Sequence, residues 1–122
     1  MKIAITSIGE TLDSPVDQRF GRARYFIVYD TESGEWSAGD NRQNIEAAQG
    51  AGIQAGRQVI DFGVKAVITG HCGPKAFATL TAGEVDVYQE ARGTVAEAVE
   101  AFESGKLRKA ATADVEGGFG SV

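Results

Sequence analysis

Gly63-Val64-Lys65-Ala66-Val67-Ile68-Thr69-Gly70-His71-Cys72-Gly73-Pro74 is the stretch from which the fold can be read. Gly63 occupies the position just past a helix end, where a left-handed residue closes the last turn. Lys65–Thr69 is a short β-branched run of the kind that makes a buried strand. Gly70–Gly73 forms a tight turn. Pro74 suits the first position of a new helix, because its φ is already helical and its missing N–H would have had no partner there. Helix, strand and helix joined by such short turns are the building unit of a layered α/β domain.

The pattern extends in both directions. Upstream, Gly52, Ala55, Gly56, Val59 and Ile60 recur at helical spacing from about Ala51. Downstream, Ala76, Phe77 and Leu80 give the helix after Pro74 an apolar stripe that ends at Gly83. Glu84–Tyr88 reads as a strand. Thr94-Val95-Ala96-Glu97 is a capping box, and Val95, Ala98, Val99 and Phe102 form the core face of a last helix.

Nearer the N-terminus, Lys2–Thr6 and Arg24–Asp30 read as strands. Ser33-Gly34 turns the second into a short edge strand over Glu35–Gly39. Ser7–Ala23 and the polar Asp40–Gly50 read as loops. The expected order is βββαβαβα. Right-handed crossovers then give a five-stranded mixed sheet of order 3-2-1-4-5, with strand 2 antiparallel and helices on both faces. One domain over residues 1–107 and a flexible C-terminal tail over 108–122 are expected, with no internal repeat.

The chain has 122 residues, 43% of them hydrophobic, which is enough for one core. Its net charge of −5 argues against a nucleic-acid surface and against general attraction to anionic membranes. No apolar run approaches the roughly 20 residues that span a bilayer. Met1-Lys2-Ile3-Ala4-Ile5 reads as a strand and not as a signal peptide. A cytoplasmic protein is expected. Cys72 is the only cysteine and His71 the only histidine, so one chain has no internal disulfide, classical zinc site or four-thiolate iron–sulfur site.

In this topology the loops after strands 1 and 4 leave from one end of the sheet, at the point where strand order reverses. Ligands of open α/β sheets bind there. Gly70, His71, Cys72, Gly73 and Pro74 lie at that point, where a turn and a helix start direct N–H groups toward an anion. His71 and Cys72 are also metal-ligand types. The plainer reading is a tight turn with Cys72 filling an apolar gap. Arg19, Phe20, Gly21 and Arg22 lie in the long loop and could surround an anion. Their plainer reading is a solvated loop paired with Asp13 and Asp17. Arg24 is expected to begin strand 2. Gly50 and Gly52 fit a G-x-G-x-x-A spacing, but no buried strand precedes it, so a dinucleotide site is not expected. These small residues would instead let a helix start approach the sheet or a ligand closely. Asn41, Arg42 and Asn44 read as loop residues, and Ser7 ends strand 1 at the same sheet end.

No P-loop, nucleophile elbow, H-E-x-x-H or C-x-x-C is present. Adjacent residues at a strand end point in different directions, so a His71–Cys72 catalytic dyad is not expected.

Phe20-Gly21-Arg22-Ala23 running into Tyr25–Asp30, Gly50-Ala51-Gly52, Gly63–Gly70, Gly73-Pro74-Lys75-Ala76, Val85–Tyr88 and Gly93–Ala98 occur in series. Together, over roughly residues 1–107, they resemble the dinitrogenase iron–molybdenum cofactor biosynthesis family. The resemblance implies a ribonuclease H-like three-layer fold and a non-catalytic carrier of metal–sulfur clusters. Within it the orange protein branch holds a molybdenum–copper sulfide cluster. The cargo implied is such a cluster, or an iron–molybdenum cofactor precursor, held non-covalently or weakly anchored. Its partners would be a cluster donor or acceptor protein, in a monomer or weak homodimer. One cysteine cannot supply a thiolate cage. Backbone N–H groups, arginine and apolar walls would therefore hold a cluster that brings its own sulfides, with His71 or Cys72 as an optional anchor. The alternatives are an enzyme or sensor for an anionic metabolite at the same site, and a protein-interaction module.

Overall fold

Period-2 alternation along β1 (Lys2–Ser7) sorts the molecule into layers: Ile3 and Ile5 face one side of the sheet and Ala4 the other, all fully buried. The computed structural model describes residues 1–46 and 50–111. β2 (Tyr25–Asp30) pairs antiparallel with β1, and β3 (Trp36–Asp40) pairs antiparallel with β2. β4 (Ala66–Ile68) runs parallel to β1 on its other side, and β5 (Asp86–Tyr88) parallel to β4. The sheet order is β3-β2-β1-β4-β5, as the connection rules require.

One face carries α2 (Ala51–Asp61) and α3 (Pro74–Ala82), numbered after the short helix described below. Ala55, Val59, Ala76 and Leu80 pack there on Ala4, Phe26, Val67 and Val87. α4 (Val95–Glu103) covers the opposite face, setting Val95, Ala98 and Val99 on Ile3, Ile5, Ile27 and Ile68. The capping box predicted for α4 is formed. Thr94 Oγ1 accepts the Glu97 N–H at 3.1 Å, and Glu97 Oε1 accepts the Thr94 N–H at 2.9 Å. In the hairpin between β2 and β3, the Glu32 N–H donates to Asp30 Oδ1 at 2.8 Å and holds that carboxyl below the ordinary aspartate range.

The segment expected as an unbroken loop between β3 and α2 contains one helical turn, α1 (Arg42–Ile45). Asparagine drives it. The Asn41 carbonyl accepts the N–H groups of Asn44 and Ile45, each at 3.1 Å. Both asparagine side chains are buried and bonded. Asn41 Nδ2 donates to the Ala23 carbonyl (2.7 Å), and Asn44 Nδ2 reaches Asn41 Oδ1 (2.6 Å) and Gln58 Oε1 (2.7 Å). Asn41 and Asn44 thus tie the end of β3 to the entry of β2 and to α2, a structural role invisible in a polar sequence run. Residues 107–111 run beside β5, with Lys109 bridging Tyr88 and the Ala110 N–H donating to the Val87 carbonyl at 2.8 Å. The remainder of the expected tail, residues 112–122, lies outside the described residues.

Candidate functional site

β1 and β4 are parallel neighbours whose chains then turn to opposite sides, which creates the crevice at their C-terminal ends. Its floor is polar and buried. Thr6 and Thr69 occupy the position just beyond the paired Ile5 and Ile68. Thr6 Oγ1 lies 2.9 Å from Thr69 Oγ1 and donates to the Asp17 carbonyl at 2.7 Å. This ladder draws the long loop down onto the sheet end.

The loop is then fixed by backbone pairing. The Phe20 N–H donates to the His71 carbonyl at 3.0 Å, and the His71 N–H to the Gln18 carbonyl at 2.7 Å. The buried Asp17 carboxylate accepts the N–H groups of Arg19 (3.1 Å) and Arg24 (3.3 Å). Asp17 therefore organises the arginine loop through main-chain donors. No ion pair links it or Asp13 to the arginines among the described residues. Gly70 is required by the same contact, because a Cβ there would lie 2.7 Å from Gln18 Cα. Gln18 Nε2 extends the staple to the Ala91 carbonyl at 3.2 Å.

The two helix starts converge on this loop. A Cβ on Gly21 would lie 2.9 Å from Gly52 Cα, and one on Gly52 would lie 3.2 Å from Ala76 Cβ. Small residues thus bring the loop, the first turn of α2 and the first turn of α3 into direct contact. Gly50 caps α2 in the left-handed conformation at φ 76°, and Gly73 caps α3 ahead of Pro74. Neither helix has a side-chain cap or an acidic residue in its first turn, whereas α4 has both. The leading N–H groups of α2 and α3 have no acceptor within their own helices, and each helix end carries partial positive charge.

The remaining candidates divide. Arg19 is exposed, and its guanidinium makes no hydrogen bond or ion pair among the described residues. Arg22 Nη1 donates to the Ile45 carbonyl at 2.5 Å, so it braces α1 from the rim. Phe20 is buried against Phe26, with ring centroids 5.5 Å apart, and belongs to the core rather than to a ligand wall. Ser7 is buried, and its hydroxyl donates to the Gly9 carbonyl at 2.7 Å, closing its own turn. His71 is exposed. Cys72 is fully buried in the cluster under α2 and α3 while its N–H donates to Gln89 Oε1 at 3.0 Å. The neighbours thus diverge, as strand-end geometry requires. Cys72 takes the apolar position that its plainer reading gave it.

Among the described residues, no group of three or more His, Cys, Asp or Glu side chains is placed to hold a bare metal ion. The donors gathered here are N–H groups, a guanidinium and one imidazole. Such a set suits an anion that carries its own ligands. The organising residues Thr6, Asp17, Gln18, Thr69 and Gln89 escape a reading by motif. Thr6 and Thr69 did carry a signal, since each ends a buried strand with a hydroxyl. Asp17, Gln18 and Gln89 had none, because their partners are remote main-chain atoms.

No helix among the described residues is long and apolar enough to cross a membrane. The apo form of the orange protein from Desulfovibrio gigas superposes with a TM-score of 0.92 at 37% identity, over 93% of this chain and 96% of that one. An NMR structure of a Thermotoga protein assigned to the DUF35 family gives 0.82 at 42% identity, over 94% and 97%. An uncharacterized protein of Methanocaldococcus jannaschii is 28% identical over 115 residues, or 89% of this chain and 95% of its own length. Residues 1–105 match the model of the family described as dinitrogenase iron-molybdenum cofactor, and the chain belongs to that family.

Proposed function

We propose that this protein is a non-catalytic carrier that binds an anionic metal–sulfur cluster, molybdenum with iron or copper, at the sheet end formed by Arg19–Arg22, Gly50–Gly52 and Gly70–Pro74. The observation that carries this reading is the contact of two helix starts, neither capped by a side chain, beside Arg19, whose guanidinium has no partner among the described residues. Family membership supports a cofactor-related cargo. The donor set accounts for how the cargo is held. Sulfide sulfur atoms at the cluster surface accept from N–H groups and from Arg19, and His71 at the rim offers one anchoring nitrogen. Few bonds must break on release, which suits handover. The Cys72 thiol is enclosed, so it serves the loop by packing, and ligation by its sulfur would require the 70–73 turn to open.

The test is anaerobic reconstitution with tetrathiomolybdate, alone and with copper(I) or iron(II), followed by desalting, metal analysis and a visible spectrum. Stoichiometric coloured metal sulfide is expected in the wild type. Combining Arg19→Glu with His71→Ala is expected to reduce retention about tenfold, the scale of losing charge-assisted contacts. Equal retention by that variant would remove the site assignment. Failure of the wild type to retain any combination, with thermal stabilisation by a phosphorylated metabolite instead, would replace the cargo with a small anionic metabolite.

A further inference from the structure

A second concave surface lies beside the site and is built from different residues. A cavity of about 610 Å³ opens between the end of β5 and the final described segment, lined by Gln89, Glu90, Lys106, Arg108, Lys109 and their neighbours. Its outer wall is anchored. Lys109 bridges Tyr88, the Ala110 N–H donates to the Val87 carbonyl, and Leu107 packs into the core beneath α4. The wall therefore lies against the edge strand β5.

Charge sets this groove against the acidic balance of the chain. The chain carries −5 overall, yet three cations fall within residues 106–109. Lys109 Nζ is 3.7 Å from Asp86 Oδ1. The Lys106 ammonium and the Arg108 guanidinium are exposed and make no ion pair or hydrogen bond among the described residues, and Glu90 is the one acidic residue among the described residues of the lining. The groove's floor is continuous with the turn after β4. Gln89 is nearly buried, and its Oε1 accepts the Cys72 N–H. Glu90 sits at φ 68°, in the left-handed region uncommon for a side-chain-bearing residue, and its N–H donates to the Gly70 carbonyl at 2.8 Å.

We propose that this groove docks an acidic peptide segment of a partner protein. The occupant follows from the chemistry of the walls. An open trough of mixed lining, with Leu107, Ala110 and Ala111 beside two cations whose head groups are unpaired among the described residues, lacks the enclosure of a small-molecule pocket. It offers instead the charge complementarity that steers and registers a carboxylate-bearing chain. An occupant that touches Gln89 also touches the residue holding the Cys72 main chain, so docking and the 70–73 turn share a contact. The cations that would hold the peptide, Lys106 and Arg108, lie outside the cargo site, the two surfaces meet only at the 70–73 turn, and the inference does not depend on what the cargo is.

The test uses the whole chain and a fluorescein-labelled oligoglutamate peptide, with oligoglutamine as the neutral probe, read by fluorescence anisotropy. Saturable binding of oligoglutamate is expected, weakened by added salt and by about tenfold in K106E/R108E, but unchanged in R57E. In isotope-labelled wild type, the same peptide is expected to move the Gln89 side-chain amide and the Cys72 backbone resonances. Three results would overturn the proposal: no saturable binding, equal losses in K106E/R108E and R57E, or resonance shifts confined to residues outside the groove.

Discussion

Gly70 and Cys72 show how two residues of one turn are constrained by different neighbours. Gly70 is constrained by main chain, since a Cβ would press on Gln18 Cα at 2.7 Å. Gly70→Ala is expected to destabilise by about 1–3 kcal/mol, the usual cost of forcing atoms into a packed site. Urea denaturation checks this, and an unchanged midpoint would mean that the Gln18 loop yields freely. Cys72 is constrained by burial, which separates it from reagents as well as from metals. Both residues were named as site candidates from sequence because of their position after a buried strand. Their difference was not legible there. One faces a loop residue, Gln18, that lies far upstream in the chain, and the other faces the core.

The helices differ in how their ends are satisfied. α4 begins with a reciprocal capping box and lies on the face away from the two glycine-capped helices. Thr94→Ala is expected to cost about 1 kcal/mol, because one helical N–H loses its acceptor. A matched loss of chemical-denaturation midpoint, without loss of metal-sulfide retention, checks that the cap is structural. This box was readable from four residues because it is local. The element that escaped sequence reading, α1, depends on Asn41 and Asn44 reaching Ala23 and Gln58. A polar run gives no hint that its amides are buried until the elements they join are in place.

Across the whole molecule the sheet separates two apolar clusters, one under α2 and α3 and one under α4. Neither is large, and both rest on the same central strands, so they are expected to melt together. Leu80→Ala on one side should lose about 2–5 kcal/mol through the cavity it leaves. The unfolding of that variant, followed by Trp36 fluorescence and by far-ultraviolet circular dichroism, should coincide in a single transition. Separated transitions would show that the two faces unfold independently. The strands, the principal helices and their order were legible in the residues alone, because periodicity, caps and turn residues are local and handed connections leave few topologies. The same reading put Ser7–Gly9, Arg19–Arg22, Gly50–Gly52 and Gly70–Pro74 at one sheet end. Which of these residues face solvent, which brace the scaffold and which are enclosed emerges only in the folded chain. That division depends on hydrogen bonds and contacts between remote segments, such as Asp17 on the arginine loop and Gln89 on Cys72.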